Sequence, residues 1–596
     1  MLNQDLLESI KKKIEFKHAG DERQLEVIFS SSNRLLVEAP AGYGKTHTMV
    51  SKIAFMLATN QIPAPKRLLA LTFSVNAAYK IKKDIINDIP ELLDNSNKKI
   101  NIKEKIFVSN YHGFCRSVLK KYGYKLHPNL SNLDTLQSID DSDMQRLMQN
   151  VKGLSLEEAQ FITDYNSSVK NISGDFLRNN FDRYNELVLS VILNQNAIPF
   201  NAILTLTLKL FRDFPNILTF YRKYFTAILV DEFQDTNLLS YWLLKSLITK
   251  ETKLILLGDS LQRIYGFIGA IPNLLDKAET KFNMQKIQLD KNYRFASNPN
   301  MLYLDKIIRQ NAITPFQNPN NLQANIQFRI FENQVDEALA VVQKSTEIIE
   351  KNPDSNVAII VKQRGPNINY IIETFNNHNI PFFYGLFTDE DSKYIQFNRE
   401  CLFEFIELLK SHKRITKKLA RIHIDKIKDN YKDDSSPIID ALIKLLSVFW
   451  SRVFVDYTFL SFEDKINLIK DTFEHNGLKQ FMEYLDSKII ISTVHAAKGL
   501  EWDFVIIPDM EQDLFPNWAG LCGKCQYKHD CLIQITKENE KDFLEELSVF
   551  YVAVTRAKKQ VFFSASHIQM TRQGDKRKNI SCFMKLPGMI IDNKNY

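Results

Sequence analysis

Two carboxylates stand side by side at Asp231-Glu232, directly after the apolar run Ala227-Ile228-Leu229-Val230. A buried strand of this kind delivers both groups to its carboxyl end, where open α/β sheets place ligand chemistry. One carboxylate suits a Mg²⁺ ligand and its neighbour suits the polarisation of a water. A complementary segment lies near the start of the chain. Arg34-Leu35-Leu36-Val37-Glu38 reads as a strand, and Thr48-Met49-Val50-Ser51-Lys52-Ile53 as the opening of a helix. Between them, Ala39-Pro40-Ala41-Gly42-Tyr43-Gly44-Lys45-Thr46 has the form of a phosphate-cradling loop with Ala39 in place of the usual first glycine. Gly42 and Gly44 allow backbone N–H groups to approach phosphate oxygens, and the positive end of the helix faces the same point. Lys45 would reach the β- and γ-phosphates, and the Thr46 hydroxyl would share Mg²⁺ with Asp231. Ala41 and His47 flank these groups. The nucleotide expected here is ATP with Mg²⁺.

The elements that must position these groups follow an alternating rhythm. Strand-like runs at 34–38, 68–73, 105–109, 226–231 and 253–257 are separated by helical patterns, which predicts a mostly parallel α/β sheet. Residues 116–222 break the rhythm with helical spacing rich in Leu, Asn and Ser. Strand-like runs return at 326–330, 356–361, 488–493, 503–507 and 560–564 and are interrupted by helical spacing over 386–486. The expected organisation is a first α/β domain from 1–115 and 222–280 with a helical insertion at 116–221. A second α/β domain from 281–385 and 487–596 carries a helical insertion at 386–486.

The length of 596 residues accommodates several domains, and 44% apolar with 25% charged residues is a globular composition. A net charge of +7 over this length permits nucleic acid as a partner without requiring it. No apolar run approaches the length of a membrane span, and no apolar stretch of secretory type follows Met1, so no membrane partner is expected. Six cysteines are too few for a disulfide scaffold at this length and fit a reduced, cytoplasmic setting. The basic stretch from Lys410 through Lys413, Arg414, Lys417, Lys418 and Arg421 to Lys432 reads either as a surface for DNA phosphates or as a solvated helix face, since Asp425, Asp429, Asp433 and Asp434 dilute it.

Further motifs occur in a fixed order. Asp21-Glu22-Arg23-Gln24 precedes the phosphate loop. Leu71-Thr72-Phe73-Ser74 ends the second strand, and Asn110-Tyr111-His112-Gly113-Phe114 ends the third. Gly258-Asp259-Ser260-Leu261-Gln262-Arg263-Ile264-Tyr265-Gly266-Phe267 follows the fifth. Asn292-Tyr293-Arg294, Thr493-Val494-His495-Ala496-Ala497-Lys498-Gly499-Leu500-Glu501 and Tyr551-Val552-Ala553-Val554-Thr555-Arg556 complete the set. With Asp231-Glu232-Phe233-Gln234-Asp235-Thr236, this series resembles the UvrD/Rep/PcrA family of superfamily-1 DNA helicases over nearly the full chain.

The resemblance implies two RecA-like domains that hold ATP between them, an insertion in each, and 3′→5′ movement on single-stranded DNA or DNA with a 3′ overhang. It implies that Gln24 reads the adenine edge, Tyr293 stacks on the base and Glu501 lies near the ribose. Arg294 and Arg556 would contact the γ-phosphate, where a permanently charged, forked guanidinium suits phosphate oxygens. Gln262 would sense the γ-phosphate, and Glu232 would activate the attacking water. Phe73, Tyr265 and Phe267 match base-stacking positions, and Thr72, His112 and His495 match positions near the DNA backbone. The chain departs from the family pattern at Phe267-Ile268-Gly269-Ala270, where Trp-Arg-Gly-Ala is usual, with Arg263 as a candidate substitute for the missing guanidinium. Its second insertion is also short for the family, and no acidic metal cluster of a nuclease follows Arg556.

One cluster lies outside the helicase motifs. Cys522, Cys525, His529 and Cys531 have spacing suited to a tetrahedral structural Zn²⁺, within a cysteine-rich loop at 518–535. The three thiols also resemble the iron–sulfur staple of AddB-type nucleases, which a distant Cys115, Cys401 or Cys582 would have to close. The leading expectation is an ATP-driven 3′→5′ translocase or helicase, in general repair or in an anti-phage system of the Gabija kind with a partner nuclease. The alternative is a DNA-gated ATPase that switches such a partner without unwinding.

Overall fold

The computed structural model describes residues 4–93, 102–139, 141–266, 269–389, 391–412, 414–525, 531–570 and 574–592. It divides into two compact units, 1–291 and 292–596.

The first unit is built on six parallel strands. These are β1 (Arg34–Glu38), β2 (Arg67–Thr72), β3 (Ile106–Asn110), β6 (Phe225–Val230), β7 (Lys253–Gly258) and β8 (Gln285–Gln288), in the order β3-β2-β6-β7-β1-β8. Two short strands, β4 (Gln137–Ile139) and β5 (Ala197–Pro199), pair with each other in the helical region. Successive residues of a strand face opposite sides of the sheet, and here both sides are apolar, as a doubly covered parallel sheet requires. Leu35, Val37, Ala227, Leu229, Ile255 and Leu257 join the core beneath helix Lys45–Ala58. Leu36, Ile228, Val230, Leu254 and Leu256 join the opposite core.

That opposite core continues without interruption into the helices between β3 and β6. Phe114, Tyr165, Tyr184, Ile203, Leu206 and Phe211 belong to it, from helices Tyr111–Tyr122, Leu156–Lys170, Phe181–Leu187 and Phe200–Asp213. The helical region is therefore fused to one face of the sheet. Strand β8 corrects the expected division at 280/281, since its pairing with β1 keeps 285–288 in the first unit. Gln285-Lys286-Ile287-Gln288 offers one buried residue at a sheet edge, so no apolar run announces it.

The second unit carries a parallel sheet in the order β11-β12-β10-β13-β14-β9-β16. The strands are β9 (Ala324–Asn333), β10 (Val357–Val361), β11 (Phe383–Gly385), β12 (Ile489–Thr493), β13 (Trp502–Ile507), β14 (Ala557–Gln569) and β16 (Met589–Asp592), with β15 (Lys576–Arg577) antiparallel to β14. Residues 392–484 form helices Ser392–Ser411, Lys417–Asn430, Pro437–Val455 and Phe462–Glu474 and a 3₁₀ segment, Gly477–Tyr484. Their core centres on Trp450, whose indole N–H donates to His423 Nδ1 at 3.0 Å, while His423 Nε2 donates to the Cys401 carbonyl at 2.8 Å. Burial holds the His423 pKa down at about 4, so the ring stays neutral. In the basic stretch, Lys410 pairs with Glu407 at 2.5 Å and Lys426 with Glu404 at 2.9 Å, while Lys413 lies outside the described residues.

A buried acidic group lies beneath this second sheet. Glu337, on helix Gln334–Lys351, accepts from Ser564 Oγ at 2.7 Å, Asn367 Nδ2 at 3.1 Å and the Asp509 amide at 3.3 Å. Burial first, and the neighbouring Asp509 second, push its pKa up to about 8. An unfolded glutamate titrates near 4.3, so the folded state binds this proton more tightly. The stability so conferred is complete below about pH 4.3 and is lost as pH rises through 8. Thermal-unfolding midpoints measured from pH 5 to 8.5 are expected to fall for the wild type and to fall less for Glu337→Gln, by up to about 1.4 kcal/mol per pH unit. Parallel profiles would mean that Glu337 is ionised in the folded protein.

Candidate nucleotide site and nucleic-acid-facing residues

In the first sheet β7 lies between β1 and β6, so the segments leaving the carboxyl ends of these three strands are neighbours. The loop after β1 turns through Gly42 and Gly44, with φ of 83° and 79°. Such left-handed backbone suits glycine. Helix Lys45–Ala58 begins at once, and its first N–H groups have no side-chain cap. Those unmet donors and the helix dipole form an anion-binding end.

Lys45 Nζ lies 3.1 Å from Asp231 Oδ1 and hydrogen-bonds Glu232 Oε1. Burial alone would lower the ammonium pKa, but the two carboxylates outweigh it and hold the pKa above its ordinary value. Asp231 is pushed upward by burial, and Lys45 opposes that shift. Glu232 adopts the left-handed region with φ 51°. For a residue with a Cβ this costs roughly 1–2 kcal/mol, and it turns the carboxylate at the end of β6 toward the phosphate loop. Two adjacent carboxylates against one ammonium leave net negative charge at a nearly buried position. A divalent cation fits that donor set, with Thr46 one residue beyond Lys45.

A glutamine that the sequence reading quoted without a role links this centre to the next strand. Gln234 is buried, donates from Nε2 to Glu232 Oε2 at 2.5 Å and accepts at Oε1 from the Asp259 amide at 3.1 Å. Asp259 in turn accepts from Gln262 Nε2 at 2.8 Å and from the Leu261 amide at 3.1 Å. Gly258 is needed beside it, because a Cβ there would sit 2.7 Å from Gln234 Oε1. The segment from Asp231 to Gln262 is thus one hydrogen-bonded path across β6 and β7.

Gln24 follows the N-cap Asp21, which accepts its amide at 2.9 Å. Its side chain donates to the Tyr43 carbonyl of the phosphate loop at 3.2 Å and bonds His18 Nδ1. His18 Nε2 meets Ser51 Oγ at 2.8 Å, and its ring lies 4.4 Å from that of His47. Burial first, then His18 and Lys17, hold the His47 pKa down at about 4. His18 carried no signal in the motif series.

Of the positions matched to DNA contacts in this unit, Phe73 and Tyr265 stack on each other with ring centroids 5.2 Å apart. His112 is buried and stacks on Phe200 at 3.7 Å. Thr72 is fully buried at the end of β2. Phe267 and Ile268 lie outside the described residues. Arg263 donates to the Ala270 carbonyl at 3.2 Å, and Gly269, φ 90°, lies so close to the Val169 carbonyl that a Cβ would meet it at 2.4 Å.

The second unit separates its motif residues between the two edges of its sheet. Glu501 and Arg556 immediately precede β13 and β14, at their amino ends. Arg294 bonds Glu501 and the Thr555 carbonyl there. Arg556 is buried and donates to the carbonyls of Val552 at 2.9 Å and Leu500 at 3.0 Å, and to Thr555 Oγ1 at 3.2 Å. Tyr293 is exposed. At the opposite, carboxyl edge, His495 lines a cleft with Lys362, Arg364, Thr493 and Asn517. Burial, then Lys362, Lys479 and Lys498, hold the His495 pKa down at about 4. Beyond Asn517, Cys522, Cys525 and Cys531 converge and Cys582 joins them, while His529 lies outside the described residues.

Gln234→Ala is expected to lower the turnover number for ATP by roughly 10–100-fold, the usual effect of removing a partner that orients a functional group. Nucleotide affinity should change little, since Lys45 and the loop amides remain. Steady-state ATPase alongside equilibrium binding of a fluorescent nucleotide checks this, and loss of binding in proportion to turnover would contradict it. Gly258→Ala should reproduce the effect by displacing the same amide.

Residues 21–283 match the UvrD/REP helicase N-terminal domain and residues 392–567 the UvrD-like helicase C-terminal domain. The chain is 24% identical to an ATP-dependent DNA helicase PcrA of Staphylococcus epidermidis, across 96% of this chain and 86% of the relative. It is 25% identical to a probable DNA helicase II homolog of Mycoplasma capricolum, across 91% of this chain and 84% of the relative. A solved S. cerevisiae Dbp5 complex overlaps 94% of this chain and 88% of that chain at a TM-score of 0.35 and 10% identity, too slight a likeness to bear on fold or function. With two parallel-sheet units and the ordered motifs at their strand ends, the chain belongs to the UvrD/Rep/PcrA-like helicases of superfamily 1.

Proposed function

We propose that this UvrD-like protein is an ATP-dependent DNA helicase that hydrolyses ATP at Lys45, Asp231 and Glu232 and moves 3′→5′ along single-stranded DNA. The observation that carries the reading is the half-buried Lys45–Asp231–Glu232 set, joined through Gln234 to the turn that bears Gln262 and Tyr265. A nucleotide-sensing carboxylate and an aromatic turn are then linked through hydrogen bonds.

Bound Mg²⁺ would neutralise phosphate charge and polarise the γ-phosphoryl group. Lys45 exchanges its carboxylate partners for phosphate oxygens and holds them by charge. Glu232, released from that ion pair, accepts a proton from the attacking water, in the orientation set by Gln234. Asp231 and Thr46 are the residues to hold the ion. Gln24 and Tyr293 are assigned to the adenine, Glu501 to the ribose side, and Arg294 and Arg556 to phosphate. For Arg556 this entails giving up the carbonyls of Val552 and Leu500. Phe73, Tyr265 and Phe267 form the aromatic track, and Thr72, His112 and His495 flank the DNA backbone. A place in repair or in defence beside a nuclease is consistent with the short second insertion.

ATPase activity is expected to rise strongly with single-stranded DNA. Lys45→Ala should abolish turnover and weaken nucleotide binding, whereas Glu232→Gln should lose about 10²–10⁴-fold in turnover with binding kept, as for a general base. On biotinylated oligonucleotides, streptavidin should be displaced from the 5′ end and not the 3′ end. Displacement from the 3′ end would reverse the polarity, and ATPase indifferent to DNA would remove the helicase reading. Translocation without strand displacement on a 3′-overhang duplex would favour a DNA-gated switch.

A further inference from the structure

The cysteines form a concentrated set of soft ligands that nucleotide chemistry leaves unused. Cys522 and Cys525 bracket a single 3₁₀ turn, Cys522–Lys524, closed by the Cys525 amide donating to the Cys522 carbonyl at 3.2 Å. Gly523 is confined there, since a Cβ would lie 2.7 Å from the Trp518 carbonyl. This compact turn presents two sulfurs to one side. The Asp513 amide donates to Cys522 Sγ at 3.4 Å, and Cys522 Sγ donates to the Pro516 carbonyl at 3.3 Å. Cys531 returns with φ 46°, a strained value for a residue with a Cβ.

The fourth thiol comes from far along the chain. Cys582 opens the short turn Cys582–Lys585 and lines the same cavity as Cys531. All four sulfur-bearing residues line one cavity of about 10 Å³, walled on its apolar side by Leu521 and Ile533. Cys522, Cys531 and Cys582 are buried, Cys525 is half-buried, and all four are free of disulfides. A space of that size admits one water-sized atom. It suits a single ion. Lys585 lies close enough to Cys531 to offset negative charge on the set.

We infer that Cys522, Cys525, Cys531 and Cys582 form a tetrathiolate site for one structural Zn²⁺, with Cys582 in the position that sequence spacing assigned to His529. Each sulfur binds as thiolate and its proton passes to solvent, so no redox partner is needed. The ion would pin the loop after β13 to the segment after β15. Asn517, in that same loop, lines the His495 cleft. Loss of the ion therefore acts on the carboxyl edge of the second sheet and leaves the phosphate loop of the first unit alone.

Full-length protein purified without chelator is expected to hold one zinc per chain, with an X-ray absorption first shell of four sulfurs at about 2.3 Å. Cys582→Ser should release zinc to a chromogenic chelator at least tenfold faster than wild type, and His529→Ala should hold it as wild type does. The absorption measurement on unaltered protein stands even if Cys582→Ser fails to fold. A shell of three sulfurs and one nitrogen, or release from His529→Ala rather than from Cys582→Ser, would overturn the assignment. Iron with visible absorption, or absence of metal, would overturn it equally. Weakened single-strand binding in Cys582→Ser with nucleotide binding intact rests in addition on the helicase reading. Its failure beside a confirmed four-sulfur shell would count against the cleft as a DNA surface and leave the metal site standing.

Discussion

The first unit is organised around a half-buried cation held between two acids. Lys45, at the start of a helix, and Asp231 and Glu232, at the end of a strand, come from segments far apart in the chain, and each would be costly to bury alone. Their mutual charge makes the burial possible. It requires that β1 and β6 leave the sheet at the same edge, and the parallel register with β7 between them sets Val230 level with Leu36, through Leu256. It also requires that Glu232 accept a left-handed backbone, since an extended residue there would carry the carboxylate onward with the strand. Sheet order, strand register and local strain all serve that one charge cluster.

How far the chain could be read in advance depended on whether a feature was local. The strands around Leu36, Leu69, Ile228 and Ile255 were legible because burial on both faces demands unbroken apolar runs. Strand β8 was not, because one inward Ile287 at a sheet edge carries no pattern. The short strands β11 and β16 were missed for the same reason. At the site, Lys45, Asp231 and Glu232 stood out because their chemistry needs those types at those spacings. Gln234 was visible as a letter and silent as a function, since its role lies in a bond to the Asp259 amide, a backbone atom that leaves no mark in sequence. Cys582 is an intermediate case: it was one of three distant candidates, with Cys115 and Cys401, and nothing near it in the chain singles it out. The fusion of the helical region with one face of the first sheet was equally hidden, because apolar spacing within a helix does not name the surface it meets.

The second unit distributes its chemistry differently. Arg294, Glu501 and Arg556 gather at the amino ends of strands, whereas Lys362 and His495 sit at the carboxyl ends. The strands between are largely buried, with Val357–Val361 fully enclosed. Lys362 is itself fixed by a buried ion pair with Glu546. One sheet therefore offers two functional surfaces separated by its own thickness along the strands.

The single amide of Gln234 sets the energy scale on which the first unit can respond to its nucleotide. A hydrogen bond to a carboxylate contributes roughly 1.5–3 kcal/mol net, a few times the thermal energy at room temperature. On the proposed mechanism, turning Glu232 away from Gln234 is a smaller perturbation than the charge rearrangement at Lys45. The turn after β7 is held by the same side chain, so it feels the loss as a missing acceptor on the Asp259 amide. A molecular motor needs a latch that opens and recloses many times without storing strain. An amide that donates on one side and accepts on the other has that property.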